Sequence, residues 1–213
     1  MEAILVTATA VDGAVARSAL TPNERKRCGS LANPRRQEDF RAGRLAAKRA
    51  AREFLGPRPD RTMEVRSVKD SPPTLALLST RGTGHKAEIE LSLSHRDGRA
   101  VAAAAPAGLR IGVDLEVAGA VSRGQARYFL ASAEEERVPG TDVTLLWSLK
   151  EAAWKALGLG RAVPFKALEL CCDREGSLRG VRLWGAFLPM RSRLTSPWPG
   201  YHMTTVWMTG GVA

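Results

Sequence analysis

Cysteine is scarce in this chain of 213 residues, with only three. Cys28 stands alone and Cys171-Cys172 are adjacent, so an odd number without metal-ligand spacing argues against a disulfide framework or a zinc site. The adjacent pair reads simply as strand residues. No apolar run approaches the length that spans a bilayer. The start, Met1-Glu2-Ala3-Ile4-Leu5-Val6, has an acid at its second position and no basic n-region, so no secretory signal is expected and the cytoplasm is the expected compartment. Aromatic residues make up only 6% of the chain, and no nucleic-acid recognition motif accompanies them. Acidic residues are also short, 22 against 32 basic ones, for a net charge of +10.

What remains is an ordinary globular composition, 44% hydrophobic and 25% charged, in a chain long enough for one large domain or two small ones. The positive charge is uneven. Arg17 to Arg66 hold fourteen Lys/Arg against six Asp/Glu, a surplus of +8 in a quarter of the chain. Such a patch predicts an anionic partner: nucleic acid, a membrane surface, a phosphorylated ligand or an acidic protein. Arginine outnumbers lysine 25 to 7, which suits bidentate phosphate recognition, although a bias across the whole chain gives the same count.

Two stretches carry chemistry. Trp147-Ser148-Leu149-Lys150-Glu151-Ala152-Ala153-Trp154-Lys155-Ala156-Leu157-Gly158 reads as a helix, free of Gly and Pro before Gly158. Leu145, Leu149, Ala152, Ala153 and Ala156 form its apolar stripe. Trp147, Glu151, Trp154 and Lys155 fall on the other side, where Glu151 and Lys155 are neighbours. Upstream, Ile111-Gly112-Val113-Asp114-Leu115-Glu116-Val117 alternates like a half-buried strand, and Asp114 and Glu116 share its polar face. Two hard oxygen ligands from a strand with a third from a helix suit Mg²⁺. Alone, Asp-x-Glu on an outward strand face is more often just solvated, and the helix pair is as often a solvated Glu–Lys pair as not; the combination is far less common.

Along the chain, Ala3–Val11 predicts a first strand. Thr21-Pro22-Asn23-Glu24 opens a short helix bearing Arg25, Lys26 and Arg27. Asn33-Pro34 opens a long one that stops at Gly56-Pro57 and presents Arg41, Arg44, Lys48 and Arg52 as a basic face. A short strand over Thr62–Val68, a loop from Lys69 to Leu75 and an exposed turn over Arg81–His85 follow. A hairpin then turns at Arg96-Asp97-Gly98 between Glu88–Ser94 and Ala100–Ala105. Past Pro106-Ala107-Gly108 the order of elements repeats: strand Leu109–Val117, a helical region through Gln125–Arg137, the helix Val143–Leu157, and strands over Phe165–Cys172, Leu178–Phe187 and Tyr201–Met208. No repeat is visible residue by residue.

Taken together, Ile111–Glu116, Trp147–Glu151 and Lys155, with Leu93-Ser94-His95 and Gly43-Arg44 in support, make the chain similar to the Sfp-type 4′-phosphopantetheinyl transferases. The resemblance implies an α+β fold of two similar α/β-sandwich-like halves, residues 1–108 and 109–213, packed as a pseudo-dimer with the active site at their interface. It implies transfer of 4′-phosphopantetheine from coenzyme A to a serine of an apo acyl or peptidyl carrier protein, releasing 3′,5′-ADP. Asp114, Glu116 and Glu151 are then expected to hold Mg²⁺, with Glu151 as base and Lys155 beside the departing phosphate. His95 and Lys150 are expected to steady the diphosphate. Arg25 or Arg27 with Arg41 or Arg44, and Ser94, are expected to bind coenzyme A. Where the family commonly has a Gly-Lys-Pro turn beside the adenine, this chain has Ser71-Pro72-Pro73, with Lys69 as the nearest lysine. A monomer that binds neither nucleic acid nor membrane is expected.

Two rivals come from other classes. A Mg²⁺-dependent nuclease or a basic nucleic-acid binder would also use carboxylates and positive charge. Lys150-Glu151 on a helix, however, differs from the Glu-x-Lys that nucleases set on a strand. A catalytically dead relative acting as a scaffold would not need an intact Asp/Glu/Glu/Lys set.

Overall fold

The computed structural model describes residues 5–10 (as backbone), 17–68, 71–79, 84–131, 134, 142–160, 163–173 and 177–208. Lys69, the Arg81–Thr83 part of the expected turn and five of the thirteen residues of the expected Gln125–Arg137 helical region lie outside them. The chain divides into two compact units, Met1–Gly108 and Leu109–Ala213, each mixing helix and antiparallel sheet.

The first unit runs β1 (Leu5–Ala10), α1 (Pro22–Gly29), α2 (Pro34–Leu55), β2 (Met63–Arg66), β3 (Thr74–Leu78), β4 (Gly84–Lys86), β5 (Ile89–Arg96) and β6 (Arg99–Pro106). α1 begins at a capping box: the Thr21 hydroxyl accepts from the Glu24 N–H, and the Glu24 carboxylate accepts from the Thr21 N–H. Asn33 caps α2, Pro34 takes its first position, and Gly56 ends it at φ 77°. Ala42, Ala46, Ala47, Ala50 and Ala51 are fully buried, and side chains this small let the helix settle closely on Ala100, Ala102 and Ala104 of β6. The β5–β6 hairpin turns at Asp97 (φ 53°) and Gly98 (φ 73°), both left-handed as a two-residue hairpin turn requires.

The second unit runs β7 (Ile111–Val117), α3 (Arg123–Ala126), α4 (Val143–Leu157), β8 (Leu168–Cys172), β9 (Leu178–Leu183), β10 (Ala186–Thr195) and β11 (Tyr201–Met208). Its five strands make one sheet in the order β7-β11-β10-β9-β8. α4 packs on that sheet through Leu149, Ala152, Ala153 and Ala156, against Leu168, Leu170, Val181, Met190, Val206 and Met208.

Both units pair their first strand with their last and their last with the one before it: β1-β6-β5 and β7-β11-β10. In both, the strands after the long helix form a hairpin, β2-β3 and β8-β9. The first unit differs by adding β4 and by keeping its six strands in two sheets of three.

Three expectations are corrected. Leu178–Phe187 is not one strand but two, because Trp184 at φ 49° and Gly185 at φ 86° turn the chain. Thr74 and Leu75 belong to β3 rather than to a loop. The basic face of α2 is not solvated throughout: Lys48 has no exposed surface and Arg44 is 8% exposed.

Candidate active site

At Gly112 the strand and helix singled out in the sequence meet backbone to backbone. A Cβ on Gly112 would lie 1.8 Å from the Ala152 carbonyl oxygen and 2.7 Å from the Ala156 nitrogen, so only glycine allows α4 to lie this close to β7. Asp114 and Glu116 follow Gly112 at the two-residue period and share its face. They are therefore not on a solvated face, as the alternation suggested, but 3% and 8% exposed.

Lys155 bridges strand and helix. Its Nζ donates to Asp114 Oδ1 at 2.8 Å and to the Val113 carbonyl at 3.1 Å, and stands 3.6 Å from Glu151 Oε2 one turn earlier. Burial disfavours its charged form, but Asp114 and then Glu151 outweigh that and raise its pKa above the ordinary lysine value. Burial pushes the Glu151 carboxyl up; Lys155 pulls it back and Asp114 pushes it further, with a net rise. A carboxylate held this way is a stronger base than one in water.

Glu116 is tied from the same helix, where Trp147 Nε1 donates to its Oε1 at 3.1 Å. The two tryptophans, odd on a polar helix face, have a common partner. Phe165 stacks between Trp147 (centroids 5.1 Å apart, 13° between planes) and Trp154 (4.5 Å, 8°), and Phe129 meets Trp147 edge-on. At the start of α4, Asp142 accepts from the Thr144 N–H and pairs with His202 at 2.9 Å. His202 lies opposite Glu116 across β7–β11, and the sequence reading did not select it.

Among the described residues, no group of three His, Cys, Asp or Glu side chains stands as a ready metal cluster. Instead, Asp114 and Glu151 meet at Lys155, and Glu116 is held by Trp147. Their chemistry still fits Mg²⁺, which takes one or two carboxylates and completes its shell with phosphate oxygens and water.

Lys150 requires a correction. It has no exposed surface, and its Nζ donates to Glu134 Oε2 at 2.7 Å. Buried between helix and sheet, it is not placed to steady a diphosphate.

The first unit contains a cavity of about 300 Å³ lined by Leu31, Arg36, Asp39, Phe40, Gly43, Arg44, Ser67, Leu93 and His95. Arg44 lies over the Phe40 ring, 4.2 Å from its centroid, and donates to Ser67 at 3.1 Å. Burial above all lowers its pKa below the ordinary arginine value, with Glu24 pulling it back and Arg27 adding to the fall. The Nε atoms of Arg41 and Arg44 are buried without a hydrogen-bond partner. His95 Nδ1 is 3.7 Å from Asp39 Oδ2, and Asp39 Oδ1 accepts from Gly98 N–H, which holds the hairpin turn to α2.

Of the coenzyme A candidates, Arg44 and His95 line the cavity together. Arg41 reaches Cys28 Sγ at 3.7 Å, Arg25 donates to the Leu20 carbonyl at 2.7 Å, Arg27 is exposed, and Ser94 is buried at 8% exposure. Arg36 and Ser67 were missed. Arg36 was within reach of the sequence, since Arg36, Phe40, Gly43 and Arg44 follow the helical period along one face.

Residues 110–204 match the family model of the 4′-phosphopantetheinyl transferase superfamily. The matched stretch contains β7, α4 and the carboxylate–lysine cluster, and lies wholly within the second unit. No match to the chain was found among curated proteins.

Proposed function

We propose that this protein is an Sfp-type 4′-phosphopantetheinyl transferase acting on carrier proteins. The observation that carries the reading is the Asp114–Lys155–Glu151 cluster beside a tethered Glu116, inside the stretch that matches the superfamily. The arginine- and histidine-lined cavity of the first unit supports it as a place for coenzyme A phosphates.

In this reading Glu151 takes the proton from the carrier serine as its Oγ attacks the phosphorus that bears the pantetheine arm. The bond from that phosphorus to the bridging oxygen breaks, and 3′,5′-ADP leaves. Lys155, held charged by two carboxylates, faces the departing phosphate as a fixed positive charge. Asp114, Glu116 and Glu151 would hold Mg²⁺, which supplies charge neutralisation on the pyrophosphate. The nucleophile belongs to the carrier, so none is needed in this chain. Nothing observed favours the nuclease or nucleic-acid-binding alternative.

The test is mass spectrometry of apo acyl and apo peptidyl carrier proteins incubated with the enzyme, coenzyme A and Mg²⁺. The expected result is a gain of one phosphopantetheine group on the serine. An unchanged carrier of both kinds, under conditions where a known transferase modifies them, would refute the reading.

A second expectation concerns the cavity. Arg44→Ala and Arg36→Ala should raise the KM for coenzyme A about ten- to hundredfold, the range for losing a hydrogen bond to a charged group. Dephospho-coenzyme A, which lacks the 3′-phosphate, should be spared. Arg25→Ala, whose guanidinium is engaged by Leu20, should change neither. Equal weakening of both cofactors by every variant would remove the cavity as the 3′-phosphate site.

A further inference from the structure

Among the described residues, each unit contains one lysine with no exposed surface, and both donate to a glutamate held by two backbone N–H groups, Lys48 also donating to the Ala19 carbonyl. Lys48 of α2 donates to Glu24 Oε2 at 2.6 Å; the same oxygen accepts from Thr21 N–H at 2.9 Å, and Oε1 accepts from Val65 N–H at 2.8 Å. Lys150 of α4 donates to Glu134 Oε2 at 2.7 Å; that oxygen accepts from Ala131 N–H at 2.6 Å, and Oε1 accepts from Leu170 N–H at 2.8 Å. In both, the second donor is the backbone nitrogen three residues before the glutamate. In both, the last donor is the third residue of the first strand after the long helix. That strand follows a 3₁₀ turn capped by proline, Pro59 or Pro164.

A buried ion pair is a poor source of stability, because desolvating two charges consumes most of their attraction. What it fixes well is geometry. Adjacent helix residues point about 100° apart, so a lysine held in the core sets the rotation of its helix and the direction of its neighbours. Lys150 is followed by Glu151. One turn before Lys48 is Arg44, and two residues after Val65 is Ser67, the acceptor for Arg44.

We infer that the two pairs are positioning pairs with separate duties: Glu134–Lys150 turns α4 so that Glu151 and Lys155 meet Asp114, and Glu24–Lys48 sets the Arg44–Ser67 wall of the cavity. This rests on the transferase reading, and deepens it by assigning one pair to the chemical step and the other to coenzyme A binding.

The test uses two apolar double variants of the full chain, Lys150→Met with Glu134→Leu and Lys48→Met with Glu24→Leu. Replacing both partners avoids the stranded charge that a single change leaves. Thermal unfolding, kcat and KM for coenzyme A are measured with apo acyl and apo peptidyl carrier proteins. The Lys150/Glu134 double variant should lose about tenfold or more in kcat, with KM for coenzyme A within about twofold, as expected for a misplaced reacting group. The Lys48/Glu24 double variant should show the reverse, a KM raised about tenfold with kcat within about twofold. The double change removes one positive and one negative charge beside Arg44, so the net charge there is unchanged and a raised KM reports geometry.

Wild-type kinetics in both variants, or the same parameter affected in both, would overturn the inference and leave the pairs as structural. If a double variant does not fold, Lys150→Arg and Lys48→Arg keep the charge but change its geometry. They should show the same split more weakly, and wild-type kinetics in them would overturn the inference. Absence of transfer by the wild-type protein to either carrier would overturn the transferase reading, and this inference with it.

Discussion

Gly112→Ala is expected to unfold or severely weaken the second unit and to abolish transfer. The added methyl would lie 1.8 Å from the Ala152 carbonyl oxygen and inside contact distance of the Ala156 nitrogen. Both obstacles are helix backbone, so no rotamer change relieves them and α4 must move away from β7. Overpacking typically costs about 1–3 kcal/mol, and a clash with backbone belongs at or above the upper end. Movement of α4 also takes Lys155 and Glu151 from Asp114 and Trp147 from Glu116, so the residual folded protein should be inactive. Gly43→Ala is the control. Its methyl would meet Leu93 Cδ1 at an ordinary 3.5 Å, and alanine is the better helix former by roughly 0.5–1 kcal/mol, so stability should hold or rise. Denaturant midpoints for the two variants, with turnover for Gly112→Ala, decide the matter. A Gly112→Ala protein of wild-type stability and turnover would mean that this close approach does not organise the cluster.

Much of this arrangement is legible in the sequence because its signals are local. The Thr21–Glu24 capping box, the Asn33-Pro34 entry, the Gly56 stop and the Asp97-Gly98 hairpin turn depend on residues within four positions of each other. Trp184-Gly185 was missed because its first residue adopts positive φ without being Gly, Asn or Asp. Burial was least legible where the partner is distant. Asp114 and Glu116 read as an outward polar face because the helix that covers them comes some thirty residues later, and Lys150 read as a diphosphate contact because Glu134 is not visible as its partner. The repeat between the units was hidden for the same reason: its glutamate, lysine and strand donor are scattered. One local fragment of it was readable. Pro59-Asp60-Arg61-Thr62-Met63-Glu64-Val65 and Pro164-Phe165-Lys166-Ala167-Leu168-Glu169-Leu170 share proline, apolar, glutamate and apolar residues at the same spacing.

Loss of either the metal or its carboxylates should stop transfer while leaving the fold intact. Attack on a pyrophosphate places a nucleophile against several negative oxygens, and metal-ion stabilisation of that charge amounts to several kcal/mol. Chelation by EDTA should therefore lower the rate by roughly three orders of magnitude or more, restored by added Mg²⁺. Asp114→Ala removes an expected ligand and also frees Lys155 from its 2.8 Å contact, so that Lys155 is drawn toward Glu151, 3.6 Å away. Lysine drawn onto the base should deepen the loss. Glu116→Ala removes a ligand with a smaller second effect, since Glu116 is the least of the three carboxylates that raise the Lys155 pKa. Asp114→Ala should consequently be the more damaging of the two. Calorimetric titration of Mg²⁺ into the coenzyme A complex gives a readout independent of turnover and should weaken in both variants. Glu151→Gln separates the remaining role: it keeps an oxygen near the metal but cannot accept the serine proton, so kcat should fall about 10²–10⁴-fold with KM for coenzyme A nearly unchanged. Full turnover in EDTA would end the metal assignment, and near-wild-type turnover by Glu151→Gln would end the assignment of the base, each without disturbing the other.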